Sequence, residues 1–181
     1  MILSDFDLIQ AISDNGSFKI KTKTKGYKIG PSSVDLTLDK TYSIINSSNS
    51  SIFIRKETPP VYEIIENENS EEIMVPPKGF ILASTEEFIE IDRYHAAYVE
   101  GRSSIGRLGL FVQNAGYIDA GFNGKLTLEL FNATNMSIML CPGMRICQIV
   151  IFILSSPSIK PYCGKYQGQT IVTPSRINED E

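Results

Sequence analysis

The sequence predicts an all-β domain with one short helix at its N-terminus. Beyond residue 17, apolar residues recur at every second position, and clusters of Pro, Gly, Asn and Ser interrupt them at intervals of about ten residues. No run of long helical patterns is present to build an α/β fold. Many short strands in one chain are typical of a β-barrel or a double-sheet sandwich. With a length of 181 residues, positions 1–181 are expected to form a single domain.

The N-terminal helix is predicted from its start and stop signals. Ser4 is followed three residues later by Asp7, which is similar to a capping box although Asp replaces the usual Glu or Gln. Asn15-Gly16 is a typical stop signal. The predicted apolar stripe of the helix consists of Leu8, Ile9 and Ile12.

The remaining regular elements are predicted to be strands separated by polar turns. The polar stretch Asn46–Ser51 and the acidic stretch Glu66–Glu72 are interpreted as solvated loops. The predicted strands are Phe18–Lys21, Val34–Leu38, Tyr42–Ile45, Ile52–Arg55, Val61–Ile65, Glu72–Val75, Phe80–Ala83, Phe88–Ile91, Ala97–Glu100, Leu110–Gln113, Lys125–Phe131, Ser137–Leu140 and Ile146–Leu154.

The C-terminal segment loses this periodicity from about Ser155 onwards. Residues 156–181 are interpreted either as a frayed terminus or as a mobile lid over a nucleotide. The lid interpretation depends on rings, a cation and an amide in this segment, and the sequence alone leaves both interpretations open. These side chains are Tyr162, Lys165, Tyr166 and Gln169.

Composition and charge favour a small anionic ligand over a nucleic-acid polymer. Apolar residues make up 42% of the chain, and its net charge is -4. A duplex-binding surface needs a basic excess, whereas a few Arg and Lys residues suffice for a small anion. The longest apolar run, Ile146–Leu154, is too short for a membrane helix, and no signal peptide is recognised. Cys141, Cys147 and Cys163 are expected to be reduced, buried or half-buried thiols of a cytosolic protein.

Zinc-dependent nucleobase deaminases need the motifs H-x-E and P-C-x-x-C. The single histidine, His95, is followed by two alanines, and Cys141 precedes a proline instead of following one. This spacing excludes that zinc site. His95 is interpreted as a surface or packing residue.

The densest polar stretch is Glu100–Arg107. Its two arginines suit phosphate oxygens, and its two serines suit a phosphate or a catalytic water. A turn whose arginines form surface ion pairs is the alternative.

A second polar stretch, Ala115–Gly124, leads directly into a predicted strand. In that strand Lys125, Thr127 and Glu129 alternate with leucines and therefore share one face. A solvated outer face is the default interpretation, and a catalytic face is the alternative. Asp119 lies in a glycine-bracketed turn, where aspartate commonly bonds its own backbone.

Gln148 is a primary amide in an otherwise apolar strand. It needs hydrogen-bond partners if it is buried, and a position on an edge strand explains it equally well.

Six stretches of the chain, taken together and in order, resemble the dCTP deaminase family of the trimeric dUTPase-like superfamily. They span most of the chain, which makes the resemblance specific. It implies a distorted jelly-roll β fold, a homotrimer, and active sites at the interfaces between subunits. The stretches are Pro31–Leu38, Val99–Leu110, Ala115–Gly124, Thr127–Asn132, Pro142–Gln148 and Gly164–Gln169.

The resemblance also implies which residues form the site for dCTP and dUTP. The Arg and Ser residues of Glu100–Arg107 hold the triphosphate and organise the base pocket, Asp119 bonds the deoxyribose, and the tail residues bind phosphates or close the lid. Magnesium accompanies the triphosphate. The implied nucleotide-binding set is Arg102, Ser103, Ser104, Ile105, Gly106, Arg107, Asp119, Thr127, Leu128, Glu129, Gln148, Tyr162, Lys165 and Gln169.

Without zinc, a carboxylate has to activate the attacking water. Glu129 matches the catalytic glutamate of the family. It takes a proton from the water that attacks C4 of cytosine, and then passes protons to N3 and to the departing ammonia. Ser103 and a main-chain carbonyl near Ala115 hold this water, and Arg107 orients Glu129. Together with Asp119, these residues form the implied catalytic set.

Some members of the family also cleave the dUTP that they form, giving dUMP and pyrophosphate. Ala115–Asp119 resembles these bifunctional members, because deaminase-only enzymes tend to have a bulkier polar pair in place of Gly116-Tyr117. Lys165–Gln169 and Thr173–Arg176 resemble them as well. A deaminase that releases dUTP, a dUTPase without deaminase activity and a nucleotide-binding protein without enzymatic activity are the alternatives.

One loop departs from the family pattern. Relatives usually have His-x-Thr-Ala before the Ala115–Gly124 turn, whereas Gln113-Asn114-Ala115 is one residue shorter. This loop is tied to feedback inhibition by dTTP in relatives, so dTTP remains an open alternative as an inhibitor.

Overall fold

The chain folds as a curled β-sheet with one helix at its start. The computed structural model describes residues 1–12, 18–23, 27–46, 51–52, 54, 61–67, 72–113 and 116–179. The predicted stop at Asn15-Gly16 lies outside these residues, as do Phe53 and Arg55 of the predicted strand Ile52–Arg55 and parts of both predicted polar loops; the described Ile52 and Ile54 do not lie in a strand. The helices are α1 (Asp5–Ala11) and α2 (Ser103–Gly106), and a 3-10 turn covers Ile177–Glu179. The strands are β1 (Phe18–Lys21), β2 (Lys28–Ile29), β3 (Val34–Ile45), β4 (Tyr62–Glu66), β5 (Ile73–Val75), β6 (Phe80–Ile91), β7 (His95–Gly101), β8 (Leu110–Gln113), β9 (Tyr117–Ile118), β10 (Asn123–Asn132), β11 (Ile138–Leu140) and β12 (Arg145–Ile153).

The sheet is built around two long strands, β3 and β6. Its order is β8-β10-β6-β3-β12-β7-β9, with β1 beside β6 and with β2 and β4 beside β3. The pairings that involve β3 and β6 are all antiparallel. The first part of β3 pairs with β12 and its last part with β4 and β6, so this strand joins the two halves of the sheet. The predicted all-β architecture with a short N-terminal helix is confirmed.

Strand β10 separates the apolar core from a polar face. Its three inner leucines are at most 5% exposed, whereas Lys125, Thr127 and Glu129 are only half-buried. Burial of one such leucine contributes about 1.5–3 kcal/mol to the stability of the fold. The predicted alternation is confirmed, and it directs Thr127 and Glu129 away from the core.

The predicted breaks inside β3 and β6 are wrong. Both strands continue through a shift in register at the point where polar residues interrupt the apolar pattern. Asp39 and Thr41 of this interruption are buried and bonded: the Thr41 hydroxyl donates to Asp39 Oδ2 over 3.0 Å, and the Nζ atom of the half-buried Lys125 on β10 lies 2.7 Å from the same oxygen. A bulge keeps the strand continuous but disturbs the two-residue period, so the sequence pattern indicates a break.

Helix α1 begins with the predicted capping box. The Ser4 hydroxyl accepts a hydrogen bond from the Asp7 N–H, and the Ser4 N–H donates to the Asp7 carboxylate. Leu8 is fully buried, but Ile9 is 57% exposed and does not belong to the buried stripe. Successive residues are about 100° apart around a helix, so Leu8 and its neighbour cannot both face the core. No helix in the described ranges is long and apolar enough to span a membrane.

Candidate active site

A cleft of about 810 Å³ opens beside the polar face of β10. This volume lies within the range of about 300–1,000 Å³ that is usual for small-molecule sites. The walls come from β10, from the segment around β9, from β4, and from the C-terminal tail, here residues 156–179. The predicted site residues that line the cleft are Gly116, Tyr117, Asp119, Thr127, Glu129, Tyr162, Lys165 and Gln169.

Glu129 has the environment that a general base requires. Its side chain is half-buried, and this burial raises the pKa of the Glu129 carboxyl above its ordinary value of 4.5. Within the described part of the chain, no group forms a hydrogen bond or an ion pair with this carboxylate. A carboxylate that is desolvated but unpaired binds a proton more readily than a solvated one. Glu129 is therefore suited to take a proton from a water in the cleft.

Asp119 lies in the turn between β9 and β10. Its main-chain oxygen accepts a hydrogen bond from the Phe122 N–H over 3.1 Å, and Gly121 has a φ of 91°, which favours glycine at this position. The Asp119 carboxylate is exposed and bonds no other described residue. Because the turn is closed by the backbone of Asp119, its carboxylate remains available to a ligand.

The tail is bonded to the strand that carries Glu129. The Lys125 N–H donates to the Gln169 main-chain oxygen over 2.8 Å, and the Gln169 side-chain Nε2 donates to the Lys125 oxygen over 2.5 Å. The Thr173 N–H donates to Thr127 Oγ1 over 3.0 Å. The tail thus forms a wall of the cleft. Its opening and closing as a lid remain a prediction.

The predicted phosphate-binding residues of Glu100–Arg107 lie at α2 and not in the cleft, whereas the tail residues Tyr162, Lys165 and Gln169 line the cleft. Arg102 Nε lies 3.5 Å from Asp35 Oδ2, and the NH1 atom of Arg145 lies 2.9 Å from the same oxygen. Arg102 also donates to the main-chain oxygen of Arg145 over 3.1 Å. The Asp35 carboxylate here faces two guanidinium groups. The exposed polar residues beside it are Ser103, Ser104 and Arg107.

Gln148 lies inside the sheet, because β12 is flanked by β3 and β7. The explanation that places it on an edge strand is therefore wrong. Its side-chain oxygen accepts a hydrogen bond from the Ser33 hydroxyl over 3.0 Å, and its Nε2 donates to the Gly101 oxygen over 3.2 Å. Gln148 thus stabilises the backbone immediately before α2.

The side chains of three predicted site residues of this chain cannot contact a nucleotide. Ile105 is 7% exposed and Leu128 is fully buried, and both pack into the core. Gly106 has no side chain. Contacts from these three residues are limited to their main-chain groups.

The structure therefore divides the predicted site into two parts. The cleft contains Thr127 and Glu129 of β10, Asp119 of the turn before β10, and the tail residues Tyr162, Lys165 and Gln169. The α2 cluster, defined as Arg102, Ser103, Ser104, Arg107 and Gln148, does not line the cleft. Among the described residues of one chain, the α2 cluster and the cleft are separate.

Sequence reasoning missed Tyr62 and Arg145. Tyr62 lies on β4 and lines the cleft together with Ser175 of the tail. Burial raises the pKa of the Tyr62 hydroxyl, and the proximity of Tyr166 and Glu129 adds to this effect. No motif surrounds Tyr62, and only the pairing of β4 with β3 brings it to the cleft. Arg145 lies in one of the six stretches, but its pairing with the carboxylate beside α2 has no local signal.

His95 packs against Asp92, and the three cysteines are free thiols. The Nδ1 atom of His95 lies 2.8 Å from Asp92 Oδ1, which agrees with its interpretation as a packing residue. Cys147 is buried as expected, and this burial raises the pKa of its thiol, but Cys141 and Cys163 are exposed, so the expected burial is wrong for these two. In the described ranges, no three His, Cys, Asp or Glu side chains are grouped so that they could hold a metal ion.

The curled sheet and the cleft beside β10 define a protein with a dUTPase-like fold. The solved structure of 2'-deoxycytidine 5'-triphosphate deaminase from Agrobacterium tumefaciens matches with a TM-score of 0.62 and 21% identity, covering 83% of this chain and 46% of that chain. The EIAV dUTPase matches with a TM-score of 0.52 and 18% identity, covering 82% of this chain and 98% of that chain. These likenesses confirm the fold that the sequence resemblance implies.

The chain belongs to the dCTP deaminase-like family, whose model matches residues 2–154. A relative from Aquifex aeolicus, named "dCTP deaminase, dUMP-forming", is 46% identical over 100% of this chain and 97% of its own length. Proteins of the same name from Sulfurihydrogenibium sp. and Thermobifida fusca are 45% and 42% identical, over 98% and 97% of this chain and over 97% and 92% of their own lengths. The family assignment made from the six sequence stretches is confirmed.

Proposed function

We propose that the protein deaminates dCTP and cleaves the resulting dUTP to dUMP and pyrophosphate. The observation that carries this proposal is the environment of Glu129: it lies in a cleft of small-molecule size, burial raises the pKa of its carboxyl, and no described residue pairs with it. The names of relatives that are 42–46% identical over nearly the full chain support the same reaction.

Deamination requires one water and no redox change. The Glu129 carboxylate takes a proton from the water while the water oxygen bonds to C4 of the cytosine. The protonated Glu129 passes this proton to N3, then takes the second proton from the hydroxyl now bonded to C4 and passes it to the amino group. The bond between C4 and the amino nitrogen breaks, so dCTP and water give dUTP and ammonia. Ser103 supplies a hydroxyl for the water, and Arg107 orients the carboxylate.

Cleavage of dUTP uses a second water. A new P–O bond forms at the α-phosphorus, and pyrophosphate leaves with the electrons of the bond that breaks. Asp119 binds the deoxyribose beside the phosphate chain, and Lys165 supplies positive charge from the tail. The small Gly116 next to Tyr117 supports this second reaction, because it leaves room at the wall of the cleft.

A homotrimer with shared active sites accounts for the division of the site. The exposed Ser103, Ser104 and Arg107 do not line the cleft of their own chain, and no arginine is among the described residues that line it. The α2 cluster of one subunit completes the cleft of its neighbour. The guanidinium groups of Arg102 and Arg145, which share the single carboxylate of Asp35, and the exposed Arg107 supply part of the positive charge for the triphosphate.

Magnesium is expected to bind together with the triphosphate. The exposed Asp119 carboxylate is an oxygen donor of the kind that this ion prefers, but the described residues offer no grouped ligand set. Phosphate oxygens and water therefore supply most of its ligands. The protein acts in the cytoplasm on free nucleotides and needs neither a nucleic-acid polymer nor a membrane. Inhibition by dTTP remains an alternative, because Asn114 and Ala115 of the shortened loop lie outside the described residues.

Identification of the products by mass tests the proposal. The purified protein is incubated with dCTP and magnesium, with and without a zinc-specific chelator. The proposal predicts dUMP, pyrophosphate and ammonia in both samples. Accumulation of dUTP would instead identify a deaminase alone. If only added dUTP is cleaved, the protein is a dUTPase, and if neither nucleotide changes, it is a binding protein.

A further inference from the structure

Strand β10 changes its register against β6 immediately before the residues that face the cleft. Lys125 pairs with Phe88 and Thr127 pairs with Ser84, so a single residue of β10, Leu126, lies opposite three residues of β6. The hydrogen-bond ladder between two strands is interrupted at such a bulge. A buried main-chain N–H group at this point therefore needs a partner other than the neighbouring main chain.

The Thr85 hydroxyl is this partner. It accepts a hydrogen bond from the Leu126 N–H over 2.9 Å and donates to the Glu87 main-chain oxygen over 2.9 Å. Thr85 is fully buried, so water does not compete for either bond. A hydroxyl donates one proton and accepts at its lone pairs, which fits both bonds at once. Thr85 thus replaces the missing bond of the ladder and also closes the bulge of β6.

Glu87 anchors the same bulge to the strand on the other side of β6. Its side chain is fully buried, and its carboxylate accepts hydrogen bonds from the Thr37 N–H over 2.9 Å and from the Thr37 hydroxyl over 2.8 Å. Thr37 lies on β3, and the next residue of β3, Leu38, pairs with Thr85. The bulge is therefore bonded to β3 and to β10, and this fixes its position between the two strands.

The register beyond the bulge determines which residues of β10 face the cleft. Thr127 and Glu129 line the cleft, whereas Leu128 between them is fully buried. Because successive side chains of a strand point to opposite faces, a slip of one residue would turn Thr127 and Glu129 towards the core. The bond from Leu126 to Thr85 is formed at the point where this slip would begin.

We propose that Thr85 is a positioning residue that fixes the register of β10 and thereby the direction of Thr127 and Glu129. Thr85 is not among the described residues that line the cleft, and no bond to the substrate is assigned to it. It acts through the Leu126 N–H, three residues before Glu129. The bonds of Thr85 belong to the structure alone, while their effect on deamination rests on the proposed function.

The test compares substitutions that remove or keep the Thr85 hydroxyl. Thr85→Val keeps the shape of the side chain and removes both hydrogen bonds, whereas Thr85→Ser keeps the hydroxyl. Thr85→Ala removes the same bonds without placing a methyl group where the oxygen stood, and it is used if Thr85→Val does not fold. Thr134→Val is the matched control, because the Thr134 hydroxyl also accepts a bond from a main-chain N–H, that of Met136, over 3.1 Å, but between β10 and β11 and outside the cleft lining.

Amide hydrogen exchange of the nucleotide-free protein, followed by NMR, reports on the bond itself. The exchange rate at Leu126 is divided by the rate at Leu130, which pairs with both β6 and β8 and reports any loss of overall stability. Loss of one hydrogen bond predicts an about 2- to 12-fold larger ratio in Thr85→Val and the wild-type ratio in Thr85→Ser and Thr134→Val. An unchanged ratio in a folded Thr85→Val or Thr85→Ala protein overturns the proposal. If neither variant folds, the wild type decides: protection of Leu126 as strong as that of Leu130 supports the bond, and free exchange at Leu126 overturns it.

The catalytic readout is the comparison of deamination with cleavage of dUTP. Deamination requires Glu129 in its place, whereas dUTP cleavage is assigned to Asp119 and Lys165, which lie outside β10. Thr85→Val is therefore expected to lower kcat for dCTP by at least about tenfold, to change KM less, and to retain more of its dUTP cleavage, while Thr85→Ser restores deamination. Equal losses of both activities in a folded protein overturn the positioning role, because a general loss of stability affects both. Absence of deamination in the wild-type protein contradicts the proposed function but leaves the exchange test valid.

Discussion

Thr173 donates its main-chain N–H to the hydroxyl of Thr127 over 3.0 Å, so the C-terminal tail is bonded to the face of β10 that carries Glu129. A segment without core periodicity in the sequence thereby becomes a wall of the cleft. Glu129 lines the same cleft, and burial raises the pKa of its carboxyl.

Truncation before Tyr162 is expected to leave a folded but less stable protein. The removed segment includes Val172, which is fully buried, and burial of such a side chain contributes about 1.5–3 kcal/mol. Turnover of dCTP is expected to fall by at least about tenfold, because a wall of the cleft is lost. Thermal unfolding followed by circular dichroism and steady-state rates check both expectations. A truncated protein with wild-type kinetics would show that the tail has no role in catalysis.

The sequence was sufficient to predict the fold class, the capping box and the polar face of β10, because each depends on local periodicity or on a short motif. It was not sufficient for the interiors of β3 and β6. In β3, Asp39 and Thr41 are buried because they bond each other and Lys125 of β10. A sequence pattern of alternating apolar residues predicts the end of a strand at such polar positions. The two-residue strands β2 and β9 and the single turn α2 are too short to produce a periodic signal.

The candidate site was only partly predictable for a similar reason. Glu129, Asp119 and Gln169 lie in motifs, and the structure brings them to one cleft. Tyr62 reaches the same cleft only through the pairing of β4 with β3, a contact between distant parts of the chain. Arg107 lies away from the cleft because of the path of the whole sheet, and no local sequence pattern predicts that path.

On the acidic side of the pH profile, activity is expected to fall at a pH above the pKa of an ordinary glutamate. General-base catalysis requires the Glu129 carboxylate, which is protonated below its pKa, and burial raises this pKa above 4.5. Activity should therefore be lost as the pH falls through this raised pKa and should reach a plateau above it. The measurement is kcat/KM for dCTP as a function of pH. A limb at or below 4.5 would contradict the desolvated state of Glu129.

A mixture of two inactive variants is expected to regain activity if sites are shared between subunits. Arg107→Ala removes a residue of the α2 cluster, and Glu129→Gln removes the carboxylate of the cleft. After equal amounts are unfolded and refolded together, random pairing unites an intact cleft with an intact α2 cluster in roughly a quarter of the interfaces of a trimer. Each variant refolded alone is the control. Light scattering checks the trimer, and a mixture as inactive as its components would contradict shared sites.

Replacement of Glu129 by Gln tests the central claim most directly. Gln keeps the size of the side chain but cannot accept a proton from water, and general acid–base groups contribute a factor of about 10² to 10⁴. Asp119→Asn is the matched amide variant, and it is expected to impair both reactions because Asp119 is assigned to the sugar beside the phosphates. The measurement is the rate of dCTP deamination and the rate of dUTP cleavage in each variant, with binding of dCTP checked by calorimetry. The account predicts that Glu129→Gln binds dCTP, deaminates it at a near-background rate, and retains more of its dUTP cleavage. Deamination by Glu129→Gln at close to the wild-type rate would contradict the assignment of Glu129 as the general base.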